Sequence, residues 1–365
     1  MSAHSRYVYL NTRVSLMAAQ LLNAPQLESM LRGRAEDQEA LLRHAGLGDL
    51  ALDQLHGASE LESVLMRRQL EELSLLLRPL TGPAREFFAY WGRRAEVGNL
   101  KALIRGKLSG QTRESIEQHL IDIEPYARLP VRTLLESDDA AEMLRRLERI
   151  PEYAEIARQA RRIVAGGAEL FTVDSALDRQ YYAGVHRRAQ AVPKADRIGL
   201  LMLVGDLLDR INLVWLLRYR VAYQLPPAEA YFHLLPGGNH LGRTQLLRLA
   251  QLDTVEAVAN ALPEPLKSLL AGLQTPTEIM GQLQVYQWQA AEKAIRDNRP
   301  GLDRVFAYLL LRERDVRAVR GVLYGQSLQL GKDLIADALN LDIWSDPVAS
   351  NSAGALARLR RQAHV

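Results

Sequence analysis

Three stretches decide how this chain folds: "EVGNLKALIRGK" at 96–107, "DRINLVWLLRYR" at 209–220 and "DVRAVRGVLYGQ" at 315–326. Aligned without gaps, each opens on an acid. Two carry Asn-Leu at the fourth and fifth places, and all three carry aliphatic residues at the eighth and ninth. They stand 113 and 106 residues apart, so one unit recurs three times. On a helix, Glu96, Asn99, Leu100, Leu103 and Lys107 fall in one stripe about 100° wide, and Asp209, Asn212, Leu213, Leu216 and Arg220 repeat it. An acid and an amide on an aliphatic face need partners, because a buried polar group without one costs roughly 1–3 kcal/mol. Asn is also a mediocre helix former. The stripe therefore predicts a lock between each helix and a neighbouring helix or loop, in preference to a ligand or ion site. The third copy has Ala318 in place of Asn and Gln326 in place of the basic residue. It is expected to lack one contact, and Asp315→Ala is expected to be milder than Asn99→Leu or Asn212→Leu.

The text around the repeat reads as helix. "LESVLMRRQLEELSLLLR" (61–78) and "AAEMLRRLERI" (140–150) place aliphatic residues three and four apart among Arg and Glu, and period-two runs are scarce. Breaks at Pro83, Pro193 and Pro300 precede the three acids by similar distances. Short acidic helix starts recur at 36–46, 136–153 and 252–267. The expectation is an all-α protein of three helical modules, 1–118, 119–236 and 237–345, with a flexible basic tail at 346–365.

Composition narrows function. The chain has 365 residues, 48% hydrophobic and 24% charged, enough to bury a sizeable core. No window approaches the roughly 18 consecutive apolar residues of a membrane helix, and the first 30 residues lack the apolar core of a signal peptide. A cytoplasmic chain, or one seated on a membrane face, is expected. There is no cysteine, which removes disulfides and thiolate chemistry. The net charge of +3 is spread among alternating acids and bases, which argues against nucleic-acid binding.

One loop invites a chemical reading. "GGNHLGRT" at 237–244 resembles a phosphate-binding loop with Arg243 where the lysine belongs, and His233 and His240 stand nearby. The preceding "AEAYFHLLP" is helical, whereas a phosphate loop follows a strand, and Arg does not replace the lysine in that role. Two histidines seven apart, without a third His, Cys or carboxylate at ligand spacing, do not make a metal site. The loop reads as a bend. The other histidines, His4, His44, His56, His119, His186 and His364, are scattered singly, and no nucleophile, paired-carboxylate or cofactor pattern emerges. Tyr181, Tyr182, Tyr286 and Trp288 read as core. No catalytic, cofactor or metal residue is expected.

Together with "LDRQYY" (177–182), "LLPGGNHL" (234–241), "FAYLLLRERDVRAVRGVLYG" (306–325) and the opening "YVYLNTRVSLMAAQLL" (7–22), the three acid-led segments resemble the central-stalk collar subunit of V-type and A-type rotary ATPases, the C subunit in prokaryotes and the d subunit in eukaryotes. The likeness runs to about Trp344 and departs at Ala318 and Gln326. It implies three modules about a pseudo-threefold axis forming a funnel. One end would seat on the membrane proteolipid ring, and the cavity would take the foot of the central shaft. Such a collar passes torque for ATP-linked H+ or Na+ translocation, performs no chemistry and needs no cofactor. Its partners would be shaft subunits and the proteolipid ring, with the stator's membrane subunit as a further neighbour, on the cytoplasmic face of the membrane. The competing class is a helical-repeat scaffold for unrelated partners.

Overall fold

Proline and glycine set where the helices begin. The computed structural model describes residues 7–48, 58–124, 126–166 and 170–339, and among these every regular element is helical, as the sequence predicts. The tail at 346–365 lies outside the described residues. The chain opens with α1 (Val8–Ala18), α2 (Ala24–Arg32) and α3 (Ala35–His44). A long hairpin follows, α4 (Ala58–Leu77) against α5 (Gly82–Trp91) and α6 (Arg94–Leu108), the last two parted only by Gly92 and Arg93. Four shorter helices come next: α7 (Arg113–Glu117), α8 (Val131–Leu135), α9 (Ala140–Leu147) and α10 (Ala154–Ala165). The second hairpin pairs α11 (Leu170–Ala191) with α12 (Lys194–Leu217), which runs on into a π-helical turn over Arg218–Ala222. After it stand α13 (Pro227–His233), α14 (Arg243–Leu249), α15 (Val255–Ala261) and α16 (Leu266–Leu269). The third hairpin pairs α17 (Pro276–Arg296) with α18 (Leu302–Ser327), and α19 (Lys332–Leu339) ends the described chain.

The breaks read from the sequence sit at helix starts. Pro83 is the second residue of α5, Pro193 caps α12 in an extended conformation, and Gly301 after Pro300 caps α18. Proline suits these places because the first N–H groups of a helix have no helical partner. Asn23 with Gln26 and Thr275 with Glu278 form reciprocal capping boxes at α2 and α17.

The largest apolar cluster is centred where α12, α17 and α18 pack together, with Leu200, Val204, Leu208, Leu283, Val305 and Phe306 fully buried. Phe87 and Trp91 of α5 meet Phe306 edge-on, with ring centres 5.4 and 4.9 Å away. Tyr181, Tyr182 and Trp288 are buried in this cluster, Tyr286 is half-buried, and the Tyr181 hydroxyl donates to Trp91 O at 2.8 Å. A second cluster gathers Leu103, Ile104, Leu134 and Leu144 behind the first hairpin. The third joins an early part of the described chain to its last two helices: Leu22, Leu27 and Leu31 pack with Val319, Val322 and Ile335.

One buried ion pair ties hairpins together. Glu72 of α4 accepts from Arg312 Nε at 2.9 Å, from Arg312 Nη2 at 2.7 Å and from the Tyr308 hydroxyl at 2.7 Å, with the Arg312 and Glu72 side chains only 3% and 8% exposed. Removing either partner from such a pair costs about 3–5 kcal/mol. Among the described residues no helix is long and apolar enough to cross a membrane.

Candidate functional site

The stripe residues on α6 hold the connection that follows their own hairpin. Asn99 Nδ2 donates to Ile121 O at 2.8 Å, and the Ile121 N–H returns a bond to Asn99 Oδ1 at 2.9 Å. One side-chain amide thus satisfies both polar groups of a single residue. Glu96 accepts from the Arg128 N–H at 2.6 Å and from the Tyr153 hydroxyl. Burial first, and then this bond to Glu96, hold the Tyr153 phenol protonated well above the usual range. Lys107 Nζ donates to Leu135 O at 2.8 Å and to Ser137 O, at the C-terminal end of α8.

On α12 the pattern repeats with other loop residues. Asn212 Nδ2 donates to Leu235 O at 2.9 Å and accepts from the Leu235 N–H at 2.7 Å. Asp209 accepts from the N–H groups of His240 at 2.7 Å and Leu241 at 2.9 Å. Arg220 donates to Leu252 O at 3.1 Å and to Leu225 O. All of Glu96, Asn99, Asp209, Asn212 and Arg220 are buried. The glycines of "GGNHLGRT" follow from this contact: a Cβ on Gly238 would stand 1.8 Å from Asp209 Oδ1, and Gly237 has φ +100°. Arg243 donates to the Tyr231 hydroxyl at 3.2 Å, and the loop is preceded by α13, a helix. The glycines admit a carboxylate from the protein itself.

The third copy corrects an expectation. Asp315, expected to be a milder site than Asn99 or Asn212, is 0% exposed and accepts from the Leu22 N–H at 2.8 Å. Arg314 Nη2 donates to Leu22 O at 2.7 Å, and the Arg314 guanidinium bonds Asp315 Oδ1 at 3.0 and 3.1 Å while also reaching Glu292 at 2.7 Å. Leu22 is therefore clasped at both polar groups, as Ile121 and Leu235 are, by an Arg–Asp pair in place of Asn. Ala318 carries no such bond and is buried among apolar side chains. The missing contact is restored by the start of the chain, 293 residues away.

A further correction concerns His240. Sequence spacing gave it no carboxylate neighbour, yet the fold sets Asp206 and Asp209 beside it, with one ligand atom from each residue within 4.8 Å of the others. Both Asp209 oxygens already accept backbone N–H groups, and Asp206 Oδ1 accepts from Asn239 Nδ2 at 2.7 Å. The group acts here as a loop lock. Burial raises the Asp206 carboxyl above its ordinary range and pushes Asp209 up to about 6, outweighing the two N–H bonds that favour its ionised form.

Sequence reasoning also missed a polar meeting point between the hairpins. Arg94 at the start of α6, Arg210 of α12 and Arg317 of α18 each lie one or two residues from a stripe acid. Arg94 is ion-paired with Glu313, Arg210 donates to Gln287 at 2.7 Å, and Arg317 donates to Gln284 at 2.5 Å. Glu313 holds Arg94 well above the ordinary guanidinium range, while burial lowers Arg210 against the opposing pull of Tyr182 and Glu313, and burial and then the like charge of Arg320 lower Arg317. The side chains of Arg94 and Glu313 remain 45% and 38% exposed, so water reaches this convergence. The only sequence signal was a basic residue beside each acid, too common a neighbour to single out.

The chain is similar to known proteins along most of its length. The profile of the family described as ATP synthase (C/AC39) subunit matches residues 10–338. The C subunit of the V-type ATP synthase of Thermus thermophilus is 27% identical over 86% of this chain and 91% of its own. The C subunit of the A-type ATP synthase of Thermococcus onnurineus is 25% identical over 92% of this chain and 91% of its own, and that of Methanosarcina mazei is 21% identical over 92% and 93%. With a match spanning nearly the whole repeat-bearing region, this chain belongs to the ATP synthase (C/AC39) subunit family.

Proposed function

We propose that the chain is the non-catalytic collar of a V/A-type rotary ATPase, coupling a central shaft to a membrane ring of proteolipids during ATP-linked H+ or Na+ translocation. Family membership supplies the complex, since the relatives are named as subunits of A-type and V-type ATP synthases. In this reading the hairpins belong to modules 1–118, 119–236 and 237–345, set about a pseudo-threefold axis as a funnel. The observation that carries it is the convergence of Arg94, Arg210 and Arg317, one from each repeat, around Glu313 in a solvent-reached space. Three guanidiniums against one carboxylate leave an inner wall suited to the polar, acidic end of a coiled-coil shaft. The opposite face would meet the small polar loops of the ring, with the stator's membrane subunit beside it, on the cytoplasmic side of the membrane.

A torque-bearing part must be stiff, and close-packed helices yield little. The clasps at Ile121, Leu235 and Leu22 and the buried Glu72–Arg312 pair add fixed points between elements that could otherwise slide. The test is reconstitution of the ATPase in vesicles with and without this chain. Without it, ATP hydrolysis by the catalytic head is expected to persist while ATP-driven pumping is lost. Pumping that survives complete removal, with no substitute for the chain present, would overturn the collar reading in favour of a helical-repeat scaffold.

A further inference from the structure

The cleft between α5, the connection before α8, and α11 is lined by four arginines and one glutamate. Its walls carry Arg85, Glu86 and Tyr90 from α5, Arg93 from the turn after it, Arg128 from the connection and Arg188 from α11, around about 280 Å³ of space. Other arginines hold carboxylates at close range: Arg94 pairs with Glu313, Arg105 with Asp174 and Arg312 with Glu72. Among the described residues, none of the four cleft guanidiniums has a carboxylate within 4.0 Å. Arg85 donates to Leu77 O at 2.5 Å and Arg188 to Gly184 O at 3.2 Å, which fixes their stems and leaves further N–H groups on each fork.

The cleft is also built in shape. The Tyr90 ring is stacked on Tyr181 with centres 5.6 Å apart, and Arg188 lies over Tyr90 at 3.7 Å from the ring centre. Arg93 stands 5.7 Å from the same ring and 6.0 Å from that of Tyr153. Gly184 makes room for this floor, since a Cβ there would come 2.2 Å from the Tyr90 hydroxyl. Burial lowers the Arg188 guanidinium from its ordinary range, and the like charges of Arg93 and Arg187 lower it further against the opposing pull of Tyr90. An anion entering the cleft would relieve that repulsion.

We propose that this cleft binds a phosphate-bearing anion of several charges, of the diphosphate type. Planar guanidinium forks match phosphate oxygens two at a time. Four of them line the cleft with one carboxylate, Glu86, while Glu96 and Glu155 act from beside it, and the lining keeps a net positive charge. A volume of 280 Å³ admits a small polyanion and is too narrow for a helix, which is about 10 Å across. A free diphosphate and a phospholipid headgroup share this chemistry. The assignment is independent of the rotor reading.

The test uses the full chain and inorganic pyrophosphate in isothermal titration at physiological ionic strength. One saturable site with a Kd at or below about 1 mM is expected. Arg93→Gln and Arg128→Gln should each weaken it at least about tenfold, while Arg132→Gln, outside the cleft, should leave it unchanged. Arg128 is exposed, so its variant keeps the fold even if the Arg93 variant does not. Flotation with phosphatidic acid vesicles separates the sources. Vesicle binding that pyrophosphate displaces and the same variants abolish identifies a lipid headgroup, and pyrophosphate binding without vesicle binding identifies a free anion. No saturable pyrophosphate binding, binding indifferent to both variants, or binding of a polyglutamate peptide in its place would overturn the proposal, the last in favour of an acidic protein segment.

Discussion

Asn99 and Asn212 each grip one residue of the connection that follows their hairpin, 22 and 23 positions on, through one amide that donates to a carbonyl and accepts from an N–H. At the corresponding place in the third repeat Ala318 has no such reach, and Leu22 is gripped instead by Asp315 at its N–H and Arg314 at its carbonyl. The geometry is kept while the chemistry changes from a neutral amide to a buried ion pair. The difference follows from the direction of the chain. The first two repeats are followed by a connection that can fold back at once, whereas the third is closed by the N-terminal segment across 293 residues. A long closure costs more chain entropy than a short one, though only logarithmically with length. A charged clasp with several bonds is a stronger latch than one amide.

The charged clasp of the third repeat depends most on Asp315. Asp315→Ala strands the Leu22 N–H and removes one partner of Arg314, which keeps Glu292 and the Leu22 carbonyl. Loss of one member of a buried pair costs about 3–5 kcal/mol, and the remaining contacts of Arg314 place the expected loss near the lower end. Urea unfolding checks the size. Limited trypsin digestion checks the place: cleavage near Arg32 and Arg34 should accelerate in this variant and stay slow in Asn99→Leu. A loss at Asp315 smaller than at Asn99 would refute the latch.

Next come the amides. Asn212 is 0% exposed and Asn99 3%, and the bonds of Asn212 are the more buried. Asn212→Leu is expected to cost about 2 kcal/mol and Asn99→Leu somewhat less, each through the stranded groups of the loop residue. Equal, negligible losses would show that the amides are ornamental and that the apolar face alone fixes the loops.

A pH series sharpens the contrast within the second repeat. Asp209 has its pKa pushed up to about 6 by burial, against an ordinary value of 3.8. The folded state then binds more protons than the unfolded state between these values, so this residue's contribution is fully present below about pH 4 and declines as pH rises through 6. The stability of the wild type relative to Asp209→Asn should fall by on the order of 1–2 kcal/mol from pH 4 to pH 7, allowing for partial solvent screening. A difference that rises over this range would mean that the two N–H bonds outweigh burial.

The helical fold was legible because amphipathic spacing and proline breaks act locally, and local patterns survive in a single sequence. The stripe at Glu96, Asn99, Asp209 and Asn212 was legible because repetition exposed polar residues on an apolar face. The partners were not. Leu22 lies 293 residues from Asp315, and nothing in "AAQLL" marks a backbone group as a ligand for a carboxylate. The neighbours of His240 were hidden for a similar reason: Asp206 and Asp209 come from α12, a turn of helix apart, and only the folded-back loop brings them to the histidine. The arginine convergence at Glu313 needs three hairpins to be placed together before any of its members looks unusual.

The smallest expected effect tests the basic end of the stripe. Lys107 reaches Leu135 O, at the last residue of α8, and Arg220 reaches Leu252 O beyond α14. Gln326 occupies this place in the third repeat, but Lys332, six residues on, donates to Arg32 O at 3.2 Å, the carbonyl of the last residue of α2. A cation at a helix C-terminus contributes about 0.3–1 kcal/mol, less when water competes for the same carbonyl. Lys107 is half-buried and Lys332 exposed, so Lys107→Ala should cost about 1 kcal/mol and Lys332→Ala less than about 0.5 kcal/mol. Gln326→Arg should leave stability within about 0.5 kcal/mol, because the carbonyl it would seek already has a donor. If Gln326→Arg instead stabilised the chain as much as Lys107→Ala weakens it, an acceptor at the end of α2 would have been waiting, and Lys332 would not be the substitute that the comparison requires.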